Sequence, residues 1–166
     1  MTSGSIKIAD HDGVFVIKMI GDVRLTLCLS FDEFIEQLLS RPDYTSVIFD
    51  LTQAQAIDST TLGLMAKFSI KAGQHNKESP IVISNNPSIS RILVSMSFDD
   101  IFRLVDEDNF VKDDSKSDEK ITIMENNGSE SEIKVKVLEA HRFLMGLNDE
   151  NHAQFKELVE TLEAPK

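Results

Sequence analysis

The sequence predicts a mixed α/β fold, a sheet with helices packed on it in the order β-β-α-β-α-β-α-β, followed by a C-terminal helical extension. Three observations carry this. Asp12-Gly13 sits between two β-branched stretches, a strong hairpin signal. Val47-Ile48-Phe49-Asp50-Leu51 is a nearly continuous apolar run of strand length. Helix-start chemistry then follows the third and fourth strands, at Asp58-Ser59 and at Asn86-Pro87.

Ser5-Ile6-Lys7-Ile8-Ala9 alternates with period two, and Val14–Ile20 is its hairpin partner, ended by Gly21-Asp22. The next helix is expected to start at Ser30 as N-cap, with Glu33 in the capping-box position. Phe31, Phe34, Ile35, Leu38 and Leu39 give it one apolar face, and Arg41-Pro42-Asp43 stops it. Val47–Leu51 is too apolar for a half-exposed strand and is expected to be covered on both faces. A helix from Ser59 to about Gln74 follows, then the strand Pro80–Ser84. The next helix has Asn86 as N-cap and Pro87 at its first position, and Ile89, Ile92, Leu93 and Met96 line one side. Ile101–Val105 is the last strand of this unit.

The character changes after Val105. Residues 107–130 read as an acidic flexible linker rich in Asp, Glu, Ser, Lys and Asn, with Ile121–Met124 its only stretch of strand character. Residues 131–166 regain a helical period: Ile133, Val137, Ala140, Leu144 and Leu147, then Phe155, Leu158, Val159 and Leu162. Gly146 near the end of the first segment and Asn148 as a cap for the second suggest a helical hairpin. The expected domains are thus 1–106, the linker 107–130 and the hairpin 131–166.

Composition narrows the function. A net charge of −11 argues against nucleic acid and against an anionic membrane surface, since both need clustered Lys and Arg. No apolar run approaches the ~18 residues of a membrane span, and no leader pattern opens the chain. The lone Cys28 cannot form an internal disulfide, fits a reducing compartment and reads as a small core residue. A cytoplasmic protein is expected. The four histidines show no metal-ligand spacing, so no metal or other cofactor is assigned. No Gly-x-Ser-x-Gly elbow or phosphate-cradling glycine loop is present, so an enzyme is not expected. A hydrolase using Ser59 would need a histidine beside it, for which the sequence offers no clear candidate. His141, five residues before Gly146, weakly resembles a phosphotransfer helix that lacks its lysine, and is expected on a helix surface. Asp50 is expected in a strand-end loop network.

Asp58-Ser59-Thr60-Thr61-Leu62-Gly63 can be no more than a helix cap, and spacing alone favours that reading. In this element order, however, it resembles the Asp-Ser-Ser/Thr-Gly-Leu-Gly signature of the STAS family, the sulfate transporter and anti-sigma factor antagonist domains. Gly21-Asp22, the Val47–Leu51 strand, and Arg91-Ile92-Leu93 leading to Phe98–Phe102 fall in register with it. The resemblance covers about residues 5–106. It implies an anti-sigma factor antagonist in a bacterial partner-switching pathway, a regulator of transcription and a phosphoprotein. By position, Ser59 would be the phosphoacceptor and Asp58 its preceding acid. The implied partners are an anti-sigma factor, which is a serine kinase in many circuits, and a metal-dependent serine phosphatase. Only the dephosphorylated form would capture the anti-sigma factor. Two departures stand out: Thr61 in place of glycine, and Arg24 where many members carry Asp. The alternative is a non-switching STAS scaffold or small-ligand-binding module in a larger signalling complex.

A phosphoryl group on Ser59 would add about −1.5 to −2 charges at a helix N-terminus, where the dipole tolerates it. Its effect must therefore fall on a partner. By the helical period, Leu62, Met65, Ala66, Ser69 and Gly73 would pack on the sheet, leaving Leu64, Lys67, Phe68 and Lys71 opposite. Those four, with Asp58, Thr60 and Thr61, are the expected partner-binding residues. Coverage of Leu64 and Phe68 by the C-terminal helices is the competing expectation.

Overall fold

The computed structural model describes residues 3–41, 43–106 and 119–164. Six strands form one sheet in the order β5-β4-β3-β2-β1-β6. They are β1 (Ser5–His11), β2 (Val14–Val23), β3 (Ser46–Ile57), β4 (Ile81–Ser84), β5 (Arg103–Asp106) and β6 (Glu119–Thr122). The helices are α1 (Cys28–Leu39), α2 (Ser59–Gln74), α3 (Pro87–Ser95), α4 (Glu130–Met145) and α5 (Asp149–Glu163).

The β1–β2 hairpin closes through Asp12 at φ 52° and Gly13 at φ 91°, the paired positive angles of a type I′ turn. Its register sets Ile6 against Met19 and Ile8 against Ile17. β2, β3, β4 and β5 then run parallel. Because the strands are added in one direction and such crossovers are right-handed, α1, α2 and α3 all fall on one face of the sheet. Ile6, Ile8, Phe15, Ile17, Val47, Phe49, Leu51 and Val82 point to that face and form the core.

β3 is buried on both faces over Val47–Leu51, as its apolar run indicates, although the helices lie on one side only. Ile48 and Asp50 lie on the far face and are buried by the sheet neighbours flanking this central strand, Val16 and Ile81 for one, Lys18 and Ile83 for the other. Asp50 also holds a local network, accepting from the Thr52 amide and hydroxyl. β3 is longer than its apolar run and reaches Ile57, so it delivers the chain directly to Asp58.

Three boundaries differ from expectation: β2 runs through Gly21 and Asp22 to Val23, and two others shift. α1 begins at Cys28, continuing a 3-10 turn over Leu25–Leu27, so Ser30 lies inside it and caps nothing. Ile101 precedes rather than opens β5, because Phe98–Asp100 forms a 3-10 turn entered through Ser97 at φ 68°. Asn86 caps α3, with Pro87 at its first position.

Of the segment expected as a linker, residues 107–118 lie outside the described residues, as does Pro42. The remainder is ordered by the first domain. β6 pairs antiparallel with β1, setting Ile121 against Ile8. Asn126 accepts from the Leu29 amide at 3.0 Å and donates to the Leu25 carbonyl at 2.8 Å, which fixes the chain against the start of α1. Ser129 caps α4 and Asn148 caps α5. This helical hairpin lies on α2, with α1 touching α4 as well. Asn151 fastens it again beside α3, donating to the Met96 and Leu144 carbonyls at 3.0 Å each.

Candidate functional site

The junction from β3 to α2 is built around Asp58. Its extended backbone (φ −80°, ψ 167°) places the carboxylate over the first turn of α2, where Oδ1 accepts from the Thr61 amide at 2.9 Å. Oδ2 accepts from the Leu25 amide at 2.7 Å, and the Asp58 amide donates to the Val23 carbonyl at 3.0 Å. One residue thus joins the end of β2, the turn before α1 and the start of α2. This is the C-terminal edge of the parallel strands, where open α/β sheets present their functional loops.

Ser59, half-buried, is the first residue of α2. Its Oγ lies 2.7 Å from Nε2 of His141 on α4. His141 Nδ1 is 2.7 Å from the Val137 carbonyl, which can only accept, so Nδ1 carries a proton. In the neutral ring Nε2 is then an acceptor, and the Ser59 hydroxyl donates to it. Only 2% of His141 is exposed, and Phe155 of α5 meets its ring edge-on at 5.1 Å. His141 is therefore not the surface histidine the sequence suggested. α4 lays its apolar stripe on α2, and His141 falls on that stripe between Val137 and Leu144.

A serine donating to an oriented imidazole can lose its proton as the oxygen attacks an electrophile. The surroundings limit what such an oxygen could do unaided. The orienting group is a neutral carbonyl rather than a carboxylate. In the first turn of α2, the Thr61 and Leu62 amides already donate to the Asp58 side chain and carbonyl, so neither is free to hold an oxyanion. A cleft of about 410 Å³ lies elsewhere, between α3 and the β4–β5 edge beside Ser84, Ser90 and Arg103.

The α2–α4 contact is close and polar. A Cβ on Gly63 would stand 2.2 Å from the Ala140 carbonyl oxygen, so the helix backbones meet at a spacing only glycine permits. One turn on, Lys67 is 1% exposed and reaches Asp32 of α1 at 2.6 Å, Glu36 of α1 at 2.7 Å and Glu139 of α4. Burial alone would push the Lys67 ammonium down. The hydrogen bonds to Asp32, Glu139 and Glu36 outweigh that and hold it above the usual lysine range. Lys136 of α4 completes the network on the other oxygen of Asp32, at 2.8 Å.

The structure therefore redistributes the residues expected to bind a partner. Asp58 and Ser59 stand together at the start of α2, with Thr60 and Thr61 beside them but 2% exposed each. Leu64 and Phe68 are buried in the core; Phe68 packs on Phe49 and Tyr44, with ring centroids 6.1 Å away in both cases. Lys67 is enclosed between three helices, and only Lys71 remains substantially exposed, its side chain at 39%. An exposed strip of Leu64, Lys67 and Phe68 does not exist in this state, because α2 is covered by the sheet on one side and by α1 and α4 on the other. Near Ser59 the exposed groups are instead Leu25 and Arg24, the latter paired with Asp22 at 2.8 Å. Cys28 is a buried core thiol as expected, its pKa raised by that burial and eased by a contact from Asn126. Among the described residues, no group of acidic, His or Cys side chains is arranged to hold a metal ion, and no helix is long and apolar enough to cross a membrane.

Comparison with known proteins gives a consistent family. The anti-sigma-F factor antagonist RsfB of Mycobacterium tuberculosis, in strains CDC 1551 / Oshkosh and H37Rv, is 28% identical over 100 residues, spanning 60% of this chain and 80% of that protein. An anti-sigma factor antagonist from Mycobacterium paratuberculosis superposes with a TM-score of 0.52 at 22% identity, covering 61% of this chain and 85% of that one. SpoIIAA, an anti-sigma factor antagonist solved in its unphosphorylated form, superposes with a TM-score of 0.52 at 14% identity, covering 61% and 87%. At those identities the two structures speak for the fold. The model of the STAS domain matches residues 5–110, which hold β1 to β5, α1 to α3 and the Asp58–Gly63 junction, and the chain belongs to the STAS domain family.

Proposed function

We propose that this chain is an anti-sigma factor antagonist that captures an anti-sigma factor while Ser59 carries a free hydroxyl and releases it when Ser59 is phosphorylated. The observation that carries the reading is the placement of Ser59 as the first residue of α2, behind the Asp58 cap, at the carboxyl edge of the sheet. A phosphoryl group there keeps the helix dipole satisfied and leaves the sheet untouched, so the domain tolerates it. A partner matched to a neutral hydroxyl would instead have to bury an unpaired dianion, at several kcal/mol, and each ~1.4 kcal/mol is tenfold in affinity. The names of the Mycobacterium tuberculosis relatives and of the structural neighbours support the partner class. The kinase, which would be the anti-sigma factor itself in many such circuits, the opposing serine phosphatase and a cytoplasmic location complete the proposal.

Two experiments test it. Peptide mass spectrometry on protein from its native cells, with phosphatases inhibited, should place about +80 Da on Ser59. Ser59→Ala should retain the anti-sigma factor, and Ser59→Asp should bind it at least about tenfold more weakly. Equal affinity of the two variants would remove the switch and favour a constitutive STAS scaffold.

The Ser59–His141 contact favours one other reading, a serine nucleophile activated by histidine. A fluorophosphonate probe separates the two. Labelling of Ser59 in the wild type but not in His141→Ala would make this a hydrolase, whereas an unlabelled protein leaves the binding role.

A further inference from the structure

We infer that the α4–α5 hairpin is a built-in cover of the α2 face, latched by His141 on Ser59, and that phosphorylation of Ser59 prevents it from closing. The inference rests on the reading of Ser59 as the switch and assigns the hairpin a place in it.

Three features of the interface mark the hairpin as a cover that can part from the first domain. First, it occupies the switch residue itself. The Ser59 Oγ cannot donate to His141 Nε2 at 2.7 Å and also be presented to a kinase or a partner. Second, beside the apolar contacts of Ala140, Leu144 and Phe155, the interface carries close and polar ones: Gly63 on Ala140, Ser59 on His141 and Lys67 on Glu139. Interfaces between domains that move relative to one another carry such polar contacts beside apolar ones. Third, the first domain is self-sufficient without it. Lys67 keeps Asp32 and Glu36, both on α1, when Glu139 leaves. Phe68 of α2 packs on Phe49 of the sheet and keeps that contact without the hairpin. Departure of the hairpin therefore strands no buried charge on the first domain.

A phosphoryl group on Ser59 does not fit beneath the closed hairpin. The space between Oγ and Nε2 is one hydrogen bond long, so a phosphoryl group on Oγ pushes His141, and α4 with it, off the start of α2. The phosphorylated chain is then open and its phosphoserine accessible to a phosphatase. The unphosphorylated chain is mostly closed, and an anti-sigma factor must displace the hairpin to dock. Its apparent affinity is lowered by the closed fraction.

The test is hydrogen–deuterium exchange of the full chain, comparing wild type, Ser59→Ala and protein carrying phosphoserine at position 59, with Ser59→Glu as the second charged form. Amides of α4 and α5 are expected to exchange about tenfold faster or more in both charged forms, with β2 and β3 as protected as in the wild type. Ser59→Ala adds no bulk and should change α4 far less. Unchanged or increased protection of α4 in the charged forms, as a His141 imidazolium paired with the phosphate would give, overturns the cover. So does loss of protection throughout the sheet, which would make the hairpin part of the core. The measurement requires no partner. If the hairpin opens but no anti-sigma factor binds in any state of Ser59, the cover stands and the partner class falls.

Discussion

Gly63→Ala is the smallest perturbation that isolates the α2–α4 contact. The added methyl would lie 2.2 Å from the Ala140 carbonyl oxygen, 2.5 Å from its carbon and 2.7 Å from its Cβ. Two of these are backbone atoms, so no rotamer change relieves the clash and the helices must part by about 1 Å to reach ordinary contact. That displacement takes Ser59 Oγ and His141 Nε2 from 2.7 Å to beyond hydrogen-bonding distance and leaves the imidazole acceptor unsatisfied. Overpacking contributes about 1–3 kcal/mol and the lost buried bond about 1–3 kcal/mol, while the better helix propensity of alanine returns about 1 kcal/mol. The expected net loss is about 1–5 kcal/mol, concentrated in docking of the hairpin. Gly73→Ala is the matched control on the same helix, since a Cβ there meets nothing within 4 Å and the substitution should stabilise by about 0.5–1 kcal/mol. Urea unfolding followed by circular dichroism gives the sign for each variant, and amide exchange locates the loss. If Gly63→Ala were as stabilising as Gly73→Ala, with α4 still protected, the close packing of α4 on α2 would be refuted.

Other substitutions test the rest of the site. Lys67→Met leaves Asp32 with Lys136 alone, while Glu36 and Glu139 can turn to water; a loss of about 2–3 kcal/mol in urea unfolding is expected near neutral pH. Because the folded protein holds the Lys67 ammonium above its ordinary value of 10.5, its stabilisation is complete below that pH and fades as the pH rises past it. The wild type should thus lose more stability than Lys67→Met between pH 9 and about pH 11.5. Asp58→Ala orphans the Thr61 and Leu25 amides together and should cost about 1–2 kcal/mol, read as a drop of about 2–8 °C in Tm. Asn126→Ala removes its bonds to the Leu29 amide and the Leu25 carbonyl, and exchange should rise at residues 25–29 while β6 keeps its protection. Unchanged exchange there would mean that Asn126 anchors nothing.

What was legible in the sequence was whatever local chemistry decides. The Asp12-Gly13 turn, the Asp58 and Asn86 caps and the helix following Ser59 depend on neighbours a few residues away, and each is where the residues indicate. The face of α2 was not legible, because a helical wheel assumes one buried side. α2 has two, so Leu64 and Phe68 serve the sheet while Gly63 and Lys67 serve the other helices. The Ser59–His141 pairing spans 82 residues and depends on how α4 is laid down, which no periodicity encodes. A retrospective signal existed: a histidine four residues after Val137 and three before Leu144 sits on an apolar stripe, a place where an imidazole needs a partner. Asn126 gave less warning still, as one asparagine in a polar segment whose partners lie about a hundred residues earlier.

The anchorage of Asn126 bears on how the hairpin behaves once displaced. β6 is hydrogen-bonded along β1, Asn126 is fixed to the start of α1, and α4 begins at Glu130. A detached hairpin is thus held on a leash of a few residues rather than on the whole acidic segment, and its effective concentration at α2 is in the millimolar range or above. Reclosure is then unimolecular and indifferent to how much of the protein the cell makes. A competing protein, by contrast, gains only as its own concentration rises. The short leash therefore turns the hairpin into a fixed threshold, a level of free partner below which the surface around Ser59 stays occupied by the chain's own C-terminus.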